Sequence, residues 1–352
     1  MKRVHVLGLA FAAFACALPA AASPPTPLRA KTLVTEGGHI HAFAQDAGAV
    51  AWVGHDYAVH VRRLTAKHGS VVGSASSGYT TVVWQLALAK TQALWTSYDA
   101  GNFIYTTVHT GSPTLRERAV FSLSFMPGPA WGSWLAGVAG DGSTLVFGTV
   151  NQSCDVEWNC RRLDVTGAVE RVGAKATAVV GLPSPYLLAT SSGRIALVPA
   201  KTPRFFPDVG PPRVAEYAPV QIYDSTGQLI STIVADGTPR AISLDWPKLA
   251  LLFEFVDGRR QIQLYDARTG GYWFNNGAAV FARVPETVKR ISVGVPGTVY
   301  SVGNAIYLLR RQQAQLIWRA GSAPIGLSLE GRQIAWAENA HNRGQIKVLN
   351  LP

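Results

Sequence analysis

Short apolar segments alternate with turns rich in glycine and polar residues from His39 to the C-terminus. Each repeat opens with an apolar strand, turns, and continues into a second strand that carries aromatic or bulky aliphatic residues. These second strands are Ala49–Gly54, Gln92–Tyr98, Ser143–Gly148, Gly193–Pro199, Lys248–Phe255, Gly297–Gly303 and Arg332–Glu338. Alternating strands that repeat about every 40–50 residues are typical of a β-propeller. The pattern therefore predicts an all-β fold, a seven-bladed β-propeller over residues 31–352.

The last repeat lacks its fourth strand. Lys31–Glu36 has strand composition and precedes the first inner strand, so we expect it to supply the missing outer strand of blade seven. This pairing would remove an exposed sheet edge and lock the ring. The same pattern predicts that blade three spans Ser133–Lys175 and that blade five spans Pro239–Gly277.

The first 22 residues have the pattern of a signal peptide. Lys2 and Arg3 precede an apolar run, Val4–Cys16, which is too short to span a membrane. Ala20–Ala22 resembles a cleavage site, which makes Ser23 the expected mature start and residues 23–30 an extended leader. The sequence therefore predicts a secreted or extracytoplasmic protein, in the periplasm or cell envelope, with no transmembrane segment.

Composition agrees with one large domain rather than a disordered chain. Of the 352 residues, 48% are hydrophobic, and the 34 glycines and 21 prolines fit many strands and turns. The net charge is +11, or +9 after loss of Lys2 and Arg3. The basic residues are scattered among the predicted blades, without a dense basic run interleaved with aromatics, so no nucleic-acid partner is predicted.

Two cysteines remain once Cys16 is removed with the signal peptide. Cys154 and Cys160 lie close together in an exported chain, which predicts a disulfide that stiffens a short loop. A metal pair is the alternative, but this spacing and the neighbouring residues do not match a zinc site.

Four predicted insertions carry the binding hypothesis. In a propeller the connections from the second to the third strand, and from the fourth strand to the next blade, leave one face. The insertions occupy such connections: Ser122–Gly132, Asn151–Trp158, Lys201–Ala218 and Ala278–Val288. Insertions on one face commonly mark a binding side. The predicted contact residues are Phe125, Trp131, Trp158, Arg204, Phe205, Phe206, Arg213, Tyr217 and Arg283. The alternative is that these aromatics pack as a lid over the central channel.

Catalytic and metal-binding signals are sparse. The sequence contains no GxSxG, HExxH, P-loop or GxGxxG motif. Two carboxylates, Asp245 and Glu330, lie at the ends of predicted inner strands, and they do not form an obvious acid–nucleophile couple. His39 and His41 share one strand face and could join a metal site, but polar residues facing the channel would look the same. No catalytic residue, metal or cofactor is predicted.

The strand rhythm, above all in Pro239–Gly270 and Pro324–Pro352, resembles the TolB/WD40-type propeller superfamily. The resemblance implies a binding scaffold more often than an enzyme. One segment, with Asp266, Thr269, Gly270 and Trp273, resembles the tryptophan-docking motif of quinoprotein and outer-membrane-assembly propellers.

The sequence thus favours a monomeric, exported propeller that binds a protein, peptide or polysaccharide through long loops on one face. A hydrolase or lyase that acts on a glycan in the central channel is one alternative. A quinoprotein-like propeller is the other.

Overall fold

The structure is a computed structural model. It describes residues 28–75, 81–100, 104–125, 132–154, 163–173, 175–200, 218–275 and 277–352. All regular structure in these residues is β-strand. No helix in the described ranges is long and apolar enough to cross a membrane.

Seven antiparallel four-stranded sheets form the blades, and in each blade the strands run in order from the central axis outwards. Blade one consists of β2 (Ala42–Asp46), β3 (Ala49–Val53), β4 (Ala58–Arg63) and β5 (Ser70–Ser74). Blade two consists of β6 (Thr81–Ala89), β7 (Gln92–Ala100), β8 (Ile104–Ser112) and β9 (Leu115–Phe125). Blade three consists of β10 (Gly132–Asp141), β11 (Thr144–Cys154), β12 (Leu163–Val172) and β13 (Ala176–Ala178). Blade four consists of β14 (Pro185–Ser191), β15 (Arg194–Pro199), β16 (Val220–Tyr223) and β17 (Leu229–Ile233).

The remaining blades follow the same order, with one added hairpin. Blade five consists of β18 (Thr238–Asp245), β19 (Lys248–Glu254), β20 (Arg260–Asp266) and β23 (Phe281–Val284), and a hairpin of β21 (Phe274–Asn275) and β22 (Ala278–Ala279) precedes β23. Blade six consists of β24 (Ile291–Gly294), β25 (Gly297–Val302), β26 (Ala305–Arg310) and β27 (Gln313–Arg319). Blade seven consists of β28 (Gly326–Glu330), β29 (Gln333–Ala340), β30 (Arg343–Asn350) and β1 (Lys31–Thr35). Neighbouring inner strands contact each other around the axis, and β28 contacts β2.

The second strand of each blade is apolar because both of its faces are covered. In β3, Val50 and Trp52 pack toward blade seven, whereas Ala49, Ala51 and Val53 pack toward blade two. Alternate side chains of a strand point to opposite faces, so a strand between two neighbouring blades must be apolar at every position. Seven buried clusters result, one at each junction between neighbouring blades.

The predicted closure of the ring is confirmed. β1 pairs antiparallel with β30, and it forms the outer edge of blade seven. Asn339 reinforces the junction: its side-chain oxygen accepts from the backbone N–H of Ile40 at 2.8 Å, and its amide donates to the Ile40 carbonyl at 2.9 Å. Leu28 and Ala30, just before β1, pack against the cluster between blades six and seven.

Two predicted blade ends were wrong. The outer strand of blade three is β13, Ala176–Ala178, which lies beyond the predicted end at Lys175. The outer strand of blade five is β23, beyond the predicted end at Gly277. The β21–β22 hairpin causes the second error, because its glycine-rich sequence has the pattern of an ordinary turn between the third and fourth strands.

Candidate functional site

Antiparallel order gives the propeller two different faces. The turns from the first to the second strand, and from the third to the fourth, lie on one side, which we call the turn face. The connections from the second to the third strand, and from the fourth strand to the next blade, lie on the other side, which we call the loop face.

Most of the predicted loop-face residues lie outside the described part of the chain. Phe125 is the last residue of β9, where blade two meets the loop face. Seven predicted residues lie outside the described ranges: Trp131, Trp158, Arg204, Phe205, Phe206, Arg213 and Tyr217. Cys154 ends β11, and Cys160 lies outside the described residues, so the predicted disulfide stays a prediction.

The strands that carry the connections after β9 and β11 are unusually long, whereas β15 and β16, which flank the connection in blade four, have six and four residues. The seven strands β6 to β12 have 9 to 11 residues each, whereas no strand in the other blades exceeds eight. At the turn face the registers match, because Asp141 pairs with Thr144 in blade three as Asp46 pairs with Ala49 in blade one. The additional residues therefore extend toward the loop face. β11 has 11 residues against five in β3, a difference of roughly 20 Å of extended chain.

Arg283 lies in a strand and not in an insertion, but it is next to Val284, the loop-face end of that strand, and its binding role stays a prediction. Arg283 lies in β23 and pairs with Gln261 of β20, so it belongs to the outer strand of blade five. The predicted insertion Ala278–Val288 is thus β22, β23 and a short connection.

The blade-one histidines lie near the loop face but take different partners. The His41 ring stacks on Tyr57 at 4.8 Å, and the His60 ring stacks on Trp52 at 4.8 Å. Burial, and then the nearby His39, lower the pKa of His41. Within the described ranges, no group of three or more His, Cys, Asp or Glu side chains is arranged to hold a metal ion.

The turn-face end of the central channel is acidic. The inner strands of the seven blades surround a cavity of about 280 Å³. Asp46, Asp141, Asp245 and Glu330 end four of these strands and line the cavity, and its described lining contains no Lys, Arg or His.

Side chains near the ends of the inner strands fasten each blade to the next. Three carboxylates accept backbone N–H groups across blade junctions: Glu330 from Gly48 at 3.5 Å, Asp46 from Lys90 at 2.6 Å, and Asp141 from Ser192 at 2.6 Å. Three hydroxyls do the same: Ser191 from Trp246 at 3.1 Å, Ser243 from Val293 at 3.0 Å, and Ser292 from Leu329 at 2.9 Å. We call these contacts the latch ring.

Blade two is the exception in the latch ring. Its inner strand ends in Ala89, which has no side-chain acceptor. Asp46 compensates, because the same oxygen that accepts from Lys90 also accepts from the Gly142 backbone N–H of blade three at 2.9 Å. One carboxylate therefore joins three blades.

Burial raises the pKa of Asp46, Asp245 and Glu330. For Asp46 the backbone N–H of Lys90 opposes the rise, whereas the charge of Asp141 and a hydrogen bond between the two carboxyl groups add to it. For Glu330 the charge of Asp46 adds to the effect of burial. These carboxyls are therefore costly to ionise, as in a cluster of like charges partly withdrawn from water.

Asp46 and Asp141 have a structural task in this arrangement. Each accepts the backbone N–H of a residue in a neighbouring blade at 2.6 Å, Asp46 from Lys90 and Asp141 from Ser192. Their position serves the closure of the ring.

Sequence reasoning recognised one member of this ring, Glu330, and one further carboxylate of the channel mouth, Asp245. The missed signal is one polar residue at or near the end of the inner strand in every blade except blade two, close to the turn. A single polar position in each repeat is difficult to recognise without the blade alignment that the structure supplies.

The fold and its closure define the protein as a seven-bladed β-propeller. No protein-family model and no curated protein sequence matches the chain. Solved structures do match the chain. The chain is similar to the acylaminoacyl peptidase of Pyrococcus horikoshii, with 9% identity and a TM-score of 0.53, over 89% of this chain and 51% of the peptidase.

Two further solved structures are similar over nearly their whole length. The computationally designed Ika8 protein is 14% identical, covers 91% of this chain and 99% of its own, and gives a TM-score of 0.47. Sqt1 of Saccharomyces cerevisiae is 11% identical, covers 93% of this chain and 98% of its own, and gives a TM-score of 0.44. The likeness to the peptidase supports the propeller fold alone.

Proposed function

We propose that this propeller is an exported binding module that engages a protein, peptide or polysaccharide through its loop face. One observation carries the proposal: the strands of blades two and three extend beyond those of the other blades, and they do so toward the loop face. Long strands that carry long connections on one side of a rigid scaffold are a common way to build a recognition surface.

The sequences of the connections suit recognition. Connection 200–219 joins the second and third strands of blade four, which are short, but it leaves the same loop face as the connections of blades two and three. It contains Arg204, Phe205, Phe206 and Arg213. Aromatic and Arg side chains contribute most to binding at interfaces, and prolines lower the conformational entropy that is lost on docking. Connection 155–162 contains Trp158.

Export completes the proposal. Cleavage before Ser23 would deliver the propeller to an oxidising compartment, where a Cys154–Cys160 bond would close connection 155–162 onto the end of β11. The module acts as a monomer in this proposal, because β1 already covers the edge of blade seven that would otherwise invite another chain.

The test uses the mature chain and the variant Phe205→Ser/Phe206→Ser. Both are immobilised and exposed to envelope proteins and to a glycan array, and a partner retained by the wild type is then purified and titrated calorimetrically. We expect the double variant to weaken binding by at least about tenfold while its melting temperature stays unchanged.

The control is Val71→Ser/Leu316→Ser, which removes two apolar side chains exposed on outer strands of blades one and six. It should bind like the wild type. A purified partner that binds the loop-face variant and the wild type equally well would contradict the proposal. So would a complete absence of partners among envelope proteins and glycans.

A second candidate is a hydrolase or lyase acting on a glycan in the channel. The raised pKa of Asp245 favours it, because perturbed carboxyls gather at catalytic sites, and Asp245 accepts no described hydrogen bond in the latch ring. It predicts glycan cleavage that is lost in Asp245→Asn without loss of thermal stability. Unchanged products after incubation with a glycan library would exclude it for those substrates.

A further inference from the structure

A second cavity, of about 310 Å³, opens on the turn face between blades five and six. Its floor is apolar: Leu264, Val280 and Leu309 are buried, and the half-buried ring of Trp273 lies beside them. Trp273 and Val280 line one side of the cavity from positions directly before and after the β21–β22 hairpin. Gln312 of blade six donates to the Ala279 carbonyl of that hairpin at 2.6 Å. We call this cavity the turn-face pocket.

The rim of the turn-face pocket is cationic. Lys248, Arg310, Arg311 and Arg332 come from turns of blades five, six and seven, and the described lining includes no carboxylate side chain. Pro352 also lines the cavity, and even with its carboxylate counted the four cations leave an excess of positive charge. Like charges around one small cavity repel each other, so the arrangement favours an anion. This concentration of positive charge does not follow from the net charge of the chain alone, because the basic residues elsewhere are scattered.

Two of these cations are held in place by the protein. The Lys248 ammonium donates to the Val295 carbonyl at 2.8 Å and lies 5.4 Å from the centre of the Trp273 ring. Arg310 donates through Nε to the Pro296 carbonyl at 3.1 Å. Burial lowers the pKa of Lys248, which the charge of Asp245 partly offsets. The ammonium is therefore fixed where an additional anion would stabilise it.

The other two cations are not held by contacts of this kind with the described residues. Arg311 and Arg332 are exposed, and they make no hydrogen bond or ion pair with any described residue. We propose that the turn-face pocket binds an amphiphilic small anion, with a ring-sized apolar body on the floor and a phosphate, sulfate or carboxylate group at the rim. The site is separate from the loop face of the proposed function.

The size and chemistry of the pocket define this ligand class. Cavities of about 300 Å³ and above hold small molecules, usually on an apolar surface with a few polar groups that fix orientation. Arginine guanidinium groups match the oxygens of phosphate, sulfate and carboxylate in a forked geometry. The acidic channel mouth lies on the same face, and it directs an anion away from the axis and toward the pocket.

The test titrates the full mature chain calorimetrically with phenyl phosphate, phenyl sulfate and benzoate, and with phenol as the neutral probe. The variant is Arg311→Asn/Arg332→Gln. Asn suits position 311, where φ is +48°, because it tolerates the left-handed conformation better than other residues. The control Arg63→Gln/Arg116→Gln removes the same charge from exposed positions in blades one and two.

We expect at least one of the three anions to bind the wild type and the control equally, and to bind the pocket variant at least about tenfold more weakly. Arg332→Lys should retain part of the affinity. The anion that binds most tightly identifies the headgroup. Absence of binding by all three at millimolar concentration would overturn the proposal, and so would equal affinity in the pocket variant or equal affinity for phenol.

Discussion

Asp46 gives the sharpest test of the latch ring, because one buried carboxylate joins three blades. It is 5% exposed, and its Oδ2 accepts from Lys90 at 2.6 Å and from Gly142 at 2.9 Å. Asp46→Ala leaves both backbone N–H groups without this acceptor. Asp46→Asn keeps a carbonyl oxygen for them and lets its amide donate to Asp141. Both variants remove the charge, so their difference isolates the hydrogen bonds.

The two hydrogen bonds are partly buried, and a typical intramolecular hydrogen bond contributes about 0.5–1.5 kcal/mol, so Asp46→Ala should unfold about 1–3 kcal/mol more easily than Asp46→Asn. Urea denaturation followed by tryptophan fluorescence measures this difference. The control is Asp257→Ala, which removes an exposed carboxylate that bonds only within its own turn. It should cost less than about 1 kcal/mol. Equal stability of the Asp46→Ala and Asp46→Asn proteins would refute the latch interpretation.

A comparison of the wild type with Asp46→Asn gives a pH prediction with a definite sign. Because the folded-state pKa of Asp46 is raised above its ordinary value of 3.8, folding binds a proton, and the resulting stability is lost as the pH rises through the folded pKa. Asp141, Asp245 and Glu330 are the neighbouring acids at this channel mouth. The wild type should therefore lose stability relative to Asp46→Asn between acid and neutral pH. A constant difference across that range would show that burial does not control this group.

Three further predictions test closure and local geometry. Asn339→Ala removes both hydrogen bonds between blades seven and one, and it should lower the free energy of unfolding by about 1–3 kcal/mol in urea denaturation. Gly270→Ala should lower the melting temperature more than Gly303→Ala; both glycines have positive φ, but an added Cβ would meet a blade-four carbonyl at 2.5 Å at Gly270 and nothing within 4 Å at Gly303. The mature protein should show no free thiol by mass spectrometry until it is reduced, whereas two thiols before reduction would exclude the Cys154–Cys160 bond.

The fold was predictable because burial on two faces leaves a strong local pattern. A second strand such as β3 must be apolar at every position, and seven such runs at regular spacing define the ring. Closure by β1 was also predictable, since a missing strand at one end and a spare strand at the other are both visible in the sequence. The β21–β22 hairpin was not predictable, because two-residue strands carry too little pattern, and Arg283 was assigned to an insertion instead of to β23 as a result.

The latch ring and the turn-face pocket were hidden for a different reason. Asp46 and Gly142 are 96 residues apart in sequence, and only the circular arrangement of the blades brings them into contact. Likewise, Lys248 and Arg332 belong to blades five and seven, where each looks like an ordinary solvated turn residue. Sites that gather one residue from each repeat depend on ring geometry, which local periodicity does not encode.

The two faces of the propeller have different tasks: latch contacts that close the ring lie at the turn face, and the long connections lie at the loop face. Ring closure depends on the apolar junctions, on the latch ring at the turn face and on β1. Described residues of loop-face connections also pack into the junctions, among them Ala218 and Val288. The latch contacts lie at the opposite face from the connections of blades two and three, so long connections there leave the latch contacts in place. Because Phe205 and Phe206 lie in a loop-face connection and the latch contacts lie at the turn face, Phe205→Ser/Phe206→Ser should change binding while the unfolding free energy stays within about 1 kcal/mol of the wild type. A large loss of stability in that variant would place the connection within the closure system.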